Sequence, residues 1–410
     1  MNKINISINN IRQDFPQLSN LYSGNRLIYL DNASTTQKPK CVIDKTIEAY
    51  TMYCANVHRG AYYLSELSNY EYESCRKAVA EFIVAQDVCE IIFVKGVTEA
   101  INLVASTYGQ ANVNFGDEVL VSYMEHHSNI VPWQILCNKV GATLKVIPIT
   151  KLGELNLKKL RQYLNKKTKI VALAHVSNVL GTINPIKEII DMVHAQGIKI
   201  LIDGAQAVSH MSVNMTELDC DFYAFSCHKM NGPTGVGVLY GKKTLLEQMP
   251  PYQSGGDMIK TVNFKKTVYA KLPFKFEAGT PNIAGVIGLK AAIKYLQKLD
   301  LYEIENYEKE LLSFTIEIFG KIPGLFIIGE AKHKSSIISF IVKGIHPHDI
   351  CTILDHKGIS IRAGHLCAQP TVEYFGLSAL CRVSLAFYNT KEEIYKCAEA
   401  IKQVKKVMHA

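Results

Sequence analysis

A strand, a helix and a second strand near the middle of this 410-residue chain constrain its fold more than any other feature. Ile170 to Val176 (IVALAHV) is a short β-branched run, too short to favour a helix. Ile186, Ile189, Ile190 and Val193 follow at the i, i+3, i+4, i+7 spacing of one helix face, Gly197 stops the helix, and Ile198 to Ile202 (IKILI) makes the next strand. Such a crossover joins parallel strands. Further short apolar runs at Ile91–Val94, Val119–Tyr123, Leu144–Ile149, Phe222–Phe225 and Val236–Tyr240 alternate with helical patterns, which predicts an α/β fold with a wound, mostly parallel sheet.

After a long helical stretch over 284–318 the pattern changes. Two strand-like runs (Leu325–Ile328, Ile337–Val342), a helix over Pro347–Lys357, more strands and a final amphipathic helix predict a separate, smaller α+β domain. Two domains also suit the length.

Composition excludes several classes. The chain is 48% hydrophobic and 20% charged, with no apolar run long enough to cross a bilayer, so a soluble protein without a membrane segment is expected. The start, MNKINISINNIRQDF, has no apolar secretion core, and a cytoplasmic location is the default expectation. The net charge of +8 is scattered in short pairs such as Lys166-Lys167, which does not suit a nucleic-acid binder. Eleven cysteines form no CxxC pair, which argues against a disulfide framework or a metal site.

Ligands in wound sheets bind beyond the carboxyl ends of the strands. The strand Ile198–Ile202 ends in Asp203-Gly-Ala-Gln206, and the next runs into Ser226-Cys-His228-Lys229. A lysine for a Schiff base and an acid to keep a pyridine nitrogen protonated are the two groups a pyridoxal phosphate site needs. Each also has a plain reading, as a turn residue or a solvated amine. Thr98 lies in the first turn of a helix that follows a strand through Gly96, where free N–H groups can cradle a phosphate; an ordinary N-cap is the alternative. His126, in EHHSN after a strand, suits stacking on an aromatic cofactor or moving protons; a metal site with His127 and His228, or a helix-start histidine, is the alternative.

In IRAGHLCAQP, Gly364 and Pro370 bracket a loop that carries Cys367. Loop thiols beside cations make nucleophiles, and Arg362 and Arg382 are the candidate cations. The planar fork of Arg382 also suits a substrate carboxylate.

With these residues assembled, the chain resembles the group II, SUF-type cysteine desulfurases of the class V aminotransferase superfamily. The resemblance rests on LDNASTTQKP, NVHRGAYYLS, MEHHSNIVPWQ, HVSNVLGT, DGAQAV, SCHKMNGPTG, FEAGTPN, RAGHLCAQP and SLAFYNT in that order. It implies a fold type I architecture, with a large cofactor domain over 27–290 and a small domain built from 1–26 and 291–410, and a homodimer with active sites near the subunit interface. It implies pyridoxal 5'-phosphate on Lys229, with Asp203 at the ring nitrogen, Gln206 at the ring hydroxyl and His126 stacked on the ring. Thr98, Ser226 and His228 would hold the phosphate, helped by Thr280 of the other subunit. Asn178 and Arg382 would receive the substrate carboxylate, with Arg362 close by, and Cys367 would accept the sulfur.

The expected reaction converts L-cysteine to L-alanine: Lys229 takes the α-proton, the Cys367 thiolate attacks the substrate sulfur, and His126 assists proton traffic. A SufE-like or SufU-like acceptor feeding iron-sulfur cluster assembly is the implied partner. The chain departs from the family pattern at Leu366, Ala363, Cys227, Lys95 and Val97, none of which removes a required group. Other readings are a selenocysteine lyase acting on L-selenocysteine, an aminotransferase or kynureninase-like enzyme, and a non-catalytic metal-binding or redox-sensing protein.

Overall fold

The fold was described from a computed structural model, which covers residues 8–22 and 24–408. Residues 1–7, assigned above to the small domain and read there for a secretion signal, lie outside the described residues, as do Ser23 and the last two positions.

Seven strands form the central sheet: β1 (Ile91–Val94), β2 (Glu118–Ser122), β3 (Thr143–Ile147), β4 (Thr168–Ala174), β5 (Lys199–Asp203), β6 (Phe222–Ser226) and β7 (Gly237–Gly241). Their spatial order is β1-β7-β6-β5-β4-β2-β3. All neighbours are parallel except around β7, which runs antiparallel to both β1 and β6. The sheet is therefore mostly parallel, and its strands read as near-continuous apolar runs because helices cover both faces. Ile170, Val171, Ile200 and Leu201 are fully buried.

The helices α1 (Lys40–Met52) and α2 (Tyr63–Phe82) precede β1, and α3 (Val97–Val104), α4 (Val131–Val140) and α5 (Ile186–His194) are crossovers between strands of the sheet. The predicted helical stretch over 284–318 is two helices, α6 (Ile283–Leu299) and α7 (Leu301–Gly320). Asp300 breaks it: its φ is +65° and its carboxylate accepts the Tyr302 N–H, which starts α7 afresh.

A second, antiparallel sheet has the order β8-β9-β11-β10, from β8 (Leu325–Ile328), β9 (Ile337–Val342), β10 (Arg362–Gly364) and β11 (Leu380–Ser384). The helices α8 (Pro347–Asp355), α9 (Gln369–Tyr374) and α10 (Lys391–Val407) belong to the same C-terminal stretch. Near the N-terminus, Ile28–Tyr29 pairs in parallel with Ile359–Ser360, so the segment that follows is anchored against the second sheet.

Two interactions fix the frame around the carboxyl edge of the central sheet. A Cβ on Gly237 would lie 2.4 Å from the Gly96 Cα, so β7 passes the β1–α3 turn at a distance only glycine permits. Arg76, on α2 and 1% exposed, grips Glu277 through two bonds of 2.6 and 2.9 Å, and Glu277 Oε1 also accepts the Phe93 N–H at 2.8 Å. Removing one partner of such a pair leaves a buried, uncompensated charge. Arg76→Met should cost about 3–5 kcal/mol in denaturant unfolding, and adding Glu277→Leu should recover much of it.

Candidate active site

The parallel strands β2, β4, β5 and β6 end at one edge, and the turns leaving them meet the second sheet there. A cavity of about 270 Å³ at that junction is lined by Thr98, His126, Asn178, Asp203, Gln206, Ser226, His228, Lys229, Arg362, Cys367 and Arg382. Eleven of the twelve candidate residues are thus brought together. Thr280 is not among them; it lines a separate pocket of about 510 Å³ with Lys95 and Glu99, on the other side of the turn before α3.

Asp203 and Lys229 extend from neighbouring strands, and both are withdrawn from water. Burial pushes the Asp203 carboxyl up, against the opposing pull of the Ala205 N–H, which it accepts at 3.0 Å, and of the Lys229 charge. Burial pushes the Lys229 amine down, against Asp203, which favours its charged form. A lowered amine pKa raises the fraction of free base, the form that attacks a carbonyl.

The Lys229 turn is tied to the segment after Tyr29. The His228 carbonyl accepts from the Thr36 N–H at 3.0 Å, from Thr35 Oγ1 at 3.0 Å and from Lys38 Nζ at 2.8 Å. Lys38 is held down to about 8, mainly by its burial. Burial, Lys229 and Lys38 together lower His228 to about 4.

At the start of α3, Ser226 Oγ accepts the Val97 N–H at 2.9 Å, and a Cβ on Gly96 would come within 3.2 Å of the same oxygen. Thr98 and Ser226 therefore flank a helix start whose first-turn N–H groups have no intrahelical partner. His126 Nδ1 accepts the Ser128 N–H at 3.1 Å, which leaves the ring proton on Nε2. Burial first, then Lys229, His127 and Arg382, push this imidazole down to about 3. Gln206, expected at a ring hydroxyl, donates from Nε2 to the Ala33 carbonyl at 2.7 Å.

The second sheet contributes the arginines and the thiol. Arg362 and Arg382 are directly opposed across β10 and β11. Asp31 and Ser34 separate the like charges: Arg382 donates to Asp31 Oδ1 and to Ser34 Oγ, both at 2.8 Å, and Arg362 donates to Ser34 Oγ at 2.8 Å. Arg382 is 2% exposed, and its Nε is buried without a hydrogen-bond partner among the described residues.

Cys367 is exposed and sits in a turn tighter than the Gly364–Pro370 bracket predicts, because Gly364 ends β10 and Pro370 lies inside α9. Leu366 and Cys367 have φ of +56° and +55°, a conformation unfavourable for side chains with a Cβ. Asn178, expected at a substrate carboxylate, donates from Nδ2 to the Leu366 carbonyl at 2.8 Å.

Sequence reasoning did not single out Asp31, Ser34, Lys38 or Ser128. Their only sequence signal is position: the first three follow the short strand Ile28–Tyr29, and Ser128 stands two residues after His126.

This donor set suits pyridoxal 5'-phosphate. Asp203, buried, and Lys229, half-buried, line the same cavity, and a helix start with a hydroxyl on each side is placed for an anion. The chain belongs to the aminotransferase class-V family, whose match spans residues 28–396. It is 48% identical over 401 residues to a cysteine desulfurase of Synechococcus elongatus, which covers 98% of this chain but only 64% of that longer relative. A probable cysteine desulfurase of Halalkalibacterium halodurans is 47% identical, over 96% of this chain and 97% of its own length. Among solved structures, the S-sulfonic acid form of a cysteine desulfurase from Escherichia coli superposes with a TM-score of 0.90 at 36% identity, over 98% of both chains. The cofactor of this group is pyridoxal 5'-phosphate, and the fold is type I.

The low His126 value has a direct consequence. Its imidazole signals should not titrate between about pH 5 and 8, the range in which an ordinary histidine changes charge, when followed by NMR of ring-labelled protein.

Proposed function

We propose that this chain is a cysteine desulfurase that takes sulfur from L-cysteine, releases L-alanine, and carries the sulfur as a persulfide on Cys367. The observation that carries this reading is that Lys229, Asp203 and Cys367 line one cavity of about 270 Å³. An aminotransferase needs the first two groups but has no use for the thiol.

Lys229 would anchor the cofactor, Asp203 would hold the proton of its ring nitrogen, and Thr98, Ser226 and His228 would hold its phosphate. Bound there, pyridoxal 5'-phosphate supplies an electron sink for the substrate α-carbon. The Lys229 amine would take the α-proton, and its lowered affinity for protons raises the share of free base available for that step. Arg382, with its unpartnered Nε, and Arg362 receive the substrate carboxylate beside Asp31. The Cys367 thiolate then attacks the substrate sulfur: an S–S bond forms, the C–S bond breaks, and the electron pair stays on the carbon skeleton that leaves as alanine. His126, neutral and with its proton on Nε2, would stack on the cofactor ring and offer that N–H as a hydrogen-bond donor beside the reacting sulfur, assisting proton traffic without giving up its own proton.

Several finer readings are part of the proposal. An exposed Cys367 suits delivery to a SufE-like or SufU-like acceptor for iron-sulfur cluster assembly. Ile47 and Tyr50 of α1 and Tyr63 and Tyr70 of α2 are exposed, an apolar face that a second copy would cover, and a homodimer would give Thr280 a route to the partner's phosphate site. No helix among the described residues is long and apolar enough to cross a membrane, which is compatible with a cytoplasmic location. L-selenocysteine remains an alternative substrate of the same geometry.

Alanine formation from L-cysteine should fall about a hundredfold or more in both Lys229→Ala and Cys367→Ser, by chromatography of the products. Full activity in Cys367→Ser would point to the aminotransferase or kynureninase-like reading. A higher kcat/KM for L-selenocysteine with Cys367 dispensable would point to a selenocysteine lyase.

A further inference from the structure

The two histidines after β2 divide their work. His126 lines the cavity, whereas His127 turns away from it toward the cysteine turn. The His127 backbone N–H donates to the Cys367 carbonyl at 2.7 Å, and its ring Nε2 accepts the Gln369 N–H at 3.0 Å. These bonds flank the strained pair Leu366 and Cys367. Two successive residues with positive φ persist only where their surroundings over-determine them. Asn178 supplies a third hold on the Leu366 carbonyl, and Thr371 Oγ1, in α9, donates to the Tyr123 carbonyl at 2.9 Å.

We propose that His127 is a positioning residue for Cys367: its backbone and its neutral ring hold the strained turn so that the thiol faces the cavity shared with Lys229, and protonation of the ring releases the turn. This rests on the reading of Cys367 as the sulfur acceptor.

The chemistry of the ring fixes the sign. Nε2 accepts an N–H, so it carries no proton; an imidazolium has only donors and cannot make that bond. The charged or titratable groups facing the ring are His365, from the cysteine turn, and His126, 6.2 Å away on its own element. Burial first, then His365, hold His127 below the ordinary histidine value. The hold is therefore fully present near neutrality and weakens progressively as pH falls below about 6.5, the ordinary value at which a released ring takes up its proton.

The test is done on the apoprotein, so that it does not depend on turnover. Cys367 and Cys54, both exposed, are labelled with an aromatic disulfide that reacts with thiols in mild acid, and the ratio of their rates is read by peptide mass spectrometry. In His127→Phe the ratio at neutral pH should rise about fivefold, the effect of losing one hydrogen bond. In the parent it should rise as pH falls below about 6.5. His127→Gln, whose amide oxygen accepts the same N–H without titrating, should restore the neutral ratio and abolish the acid rise. An unchanged ratio in His127→Phe, or no acid rise in the parent, would overturn the assignment. A raised ratio with unaltered alanine formation would leave the hold standing and overturn the role of Cys367 instead.

Discussion

Everything at the carboxyl edge of the central sheet is organised around the burial of an acid and an amine at adjacent strand ends. Asp203 and Lys229 are each disfavoured in their charged forms there, and each reduces the other's penalty. The parallel pairing of β5 and β6 forces the two chain ends to the same side, so the juxtaposition follows from topology. Such perturbed pairs in a cleft are characteristic of sites that do chemistry.

The second sheet adds what a cofactor domain lacks. It sets a buried Arg382 opposite an exposed Arg362, and Asp31 and Ser34 of the N-terminal segment hold both guanidinium groups in place. It also carries the strained turn at Cys367, held by Asn178 from the turn after β4 and by His127 from the turn after β2. The thiol is exposed, yet its backbone is anchored from both directions. That combination suits a group that must meet a small buried substrate and then a partner molecule.

The wound sheet was legible in the chain because strands buried on both faces leave continuous apolar runs, and Asp203 and Lys229 were legible because they end two of those runs. The break at Asp300 was not, since its left-handed backbone leaves no periodicity signal between α6 and α7. The bracket of Asp31 around Arg382 was hidden for another reason: the two residues are 351 positions apart, and only the pairing of β11 with the N-terminal segment joins them. Resemblance pointed to Asn178, Gln206 and Thr280 as ligand contacts. In the single chain Asn178 and Gln206 are engaged with backbone carbonyls and Thr280 lies outside the cavity, relations that no local pattern encodes.

The central claim is that one cavity lets Lys229 chemistry load sulfur onto Cys367. The most direct measurement is peptide mass mapping of the cofactor-loaded protein after brief exposure to L-cysteine without reductant. The account predicts one extra sulfur atom on the peptide bearing Cys367, absent from the other ten of the eleven cysteines and absent when Lys229 is replaced. Extra sulfur spread over several cysteines, or present on Cys367 in the Lys229 variant, would contradict it.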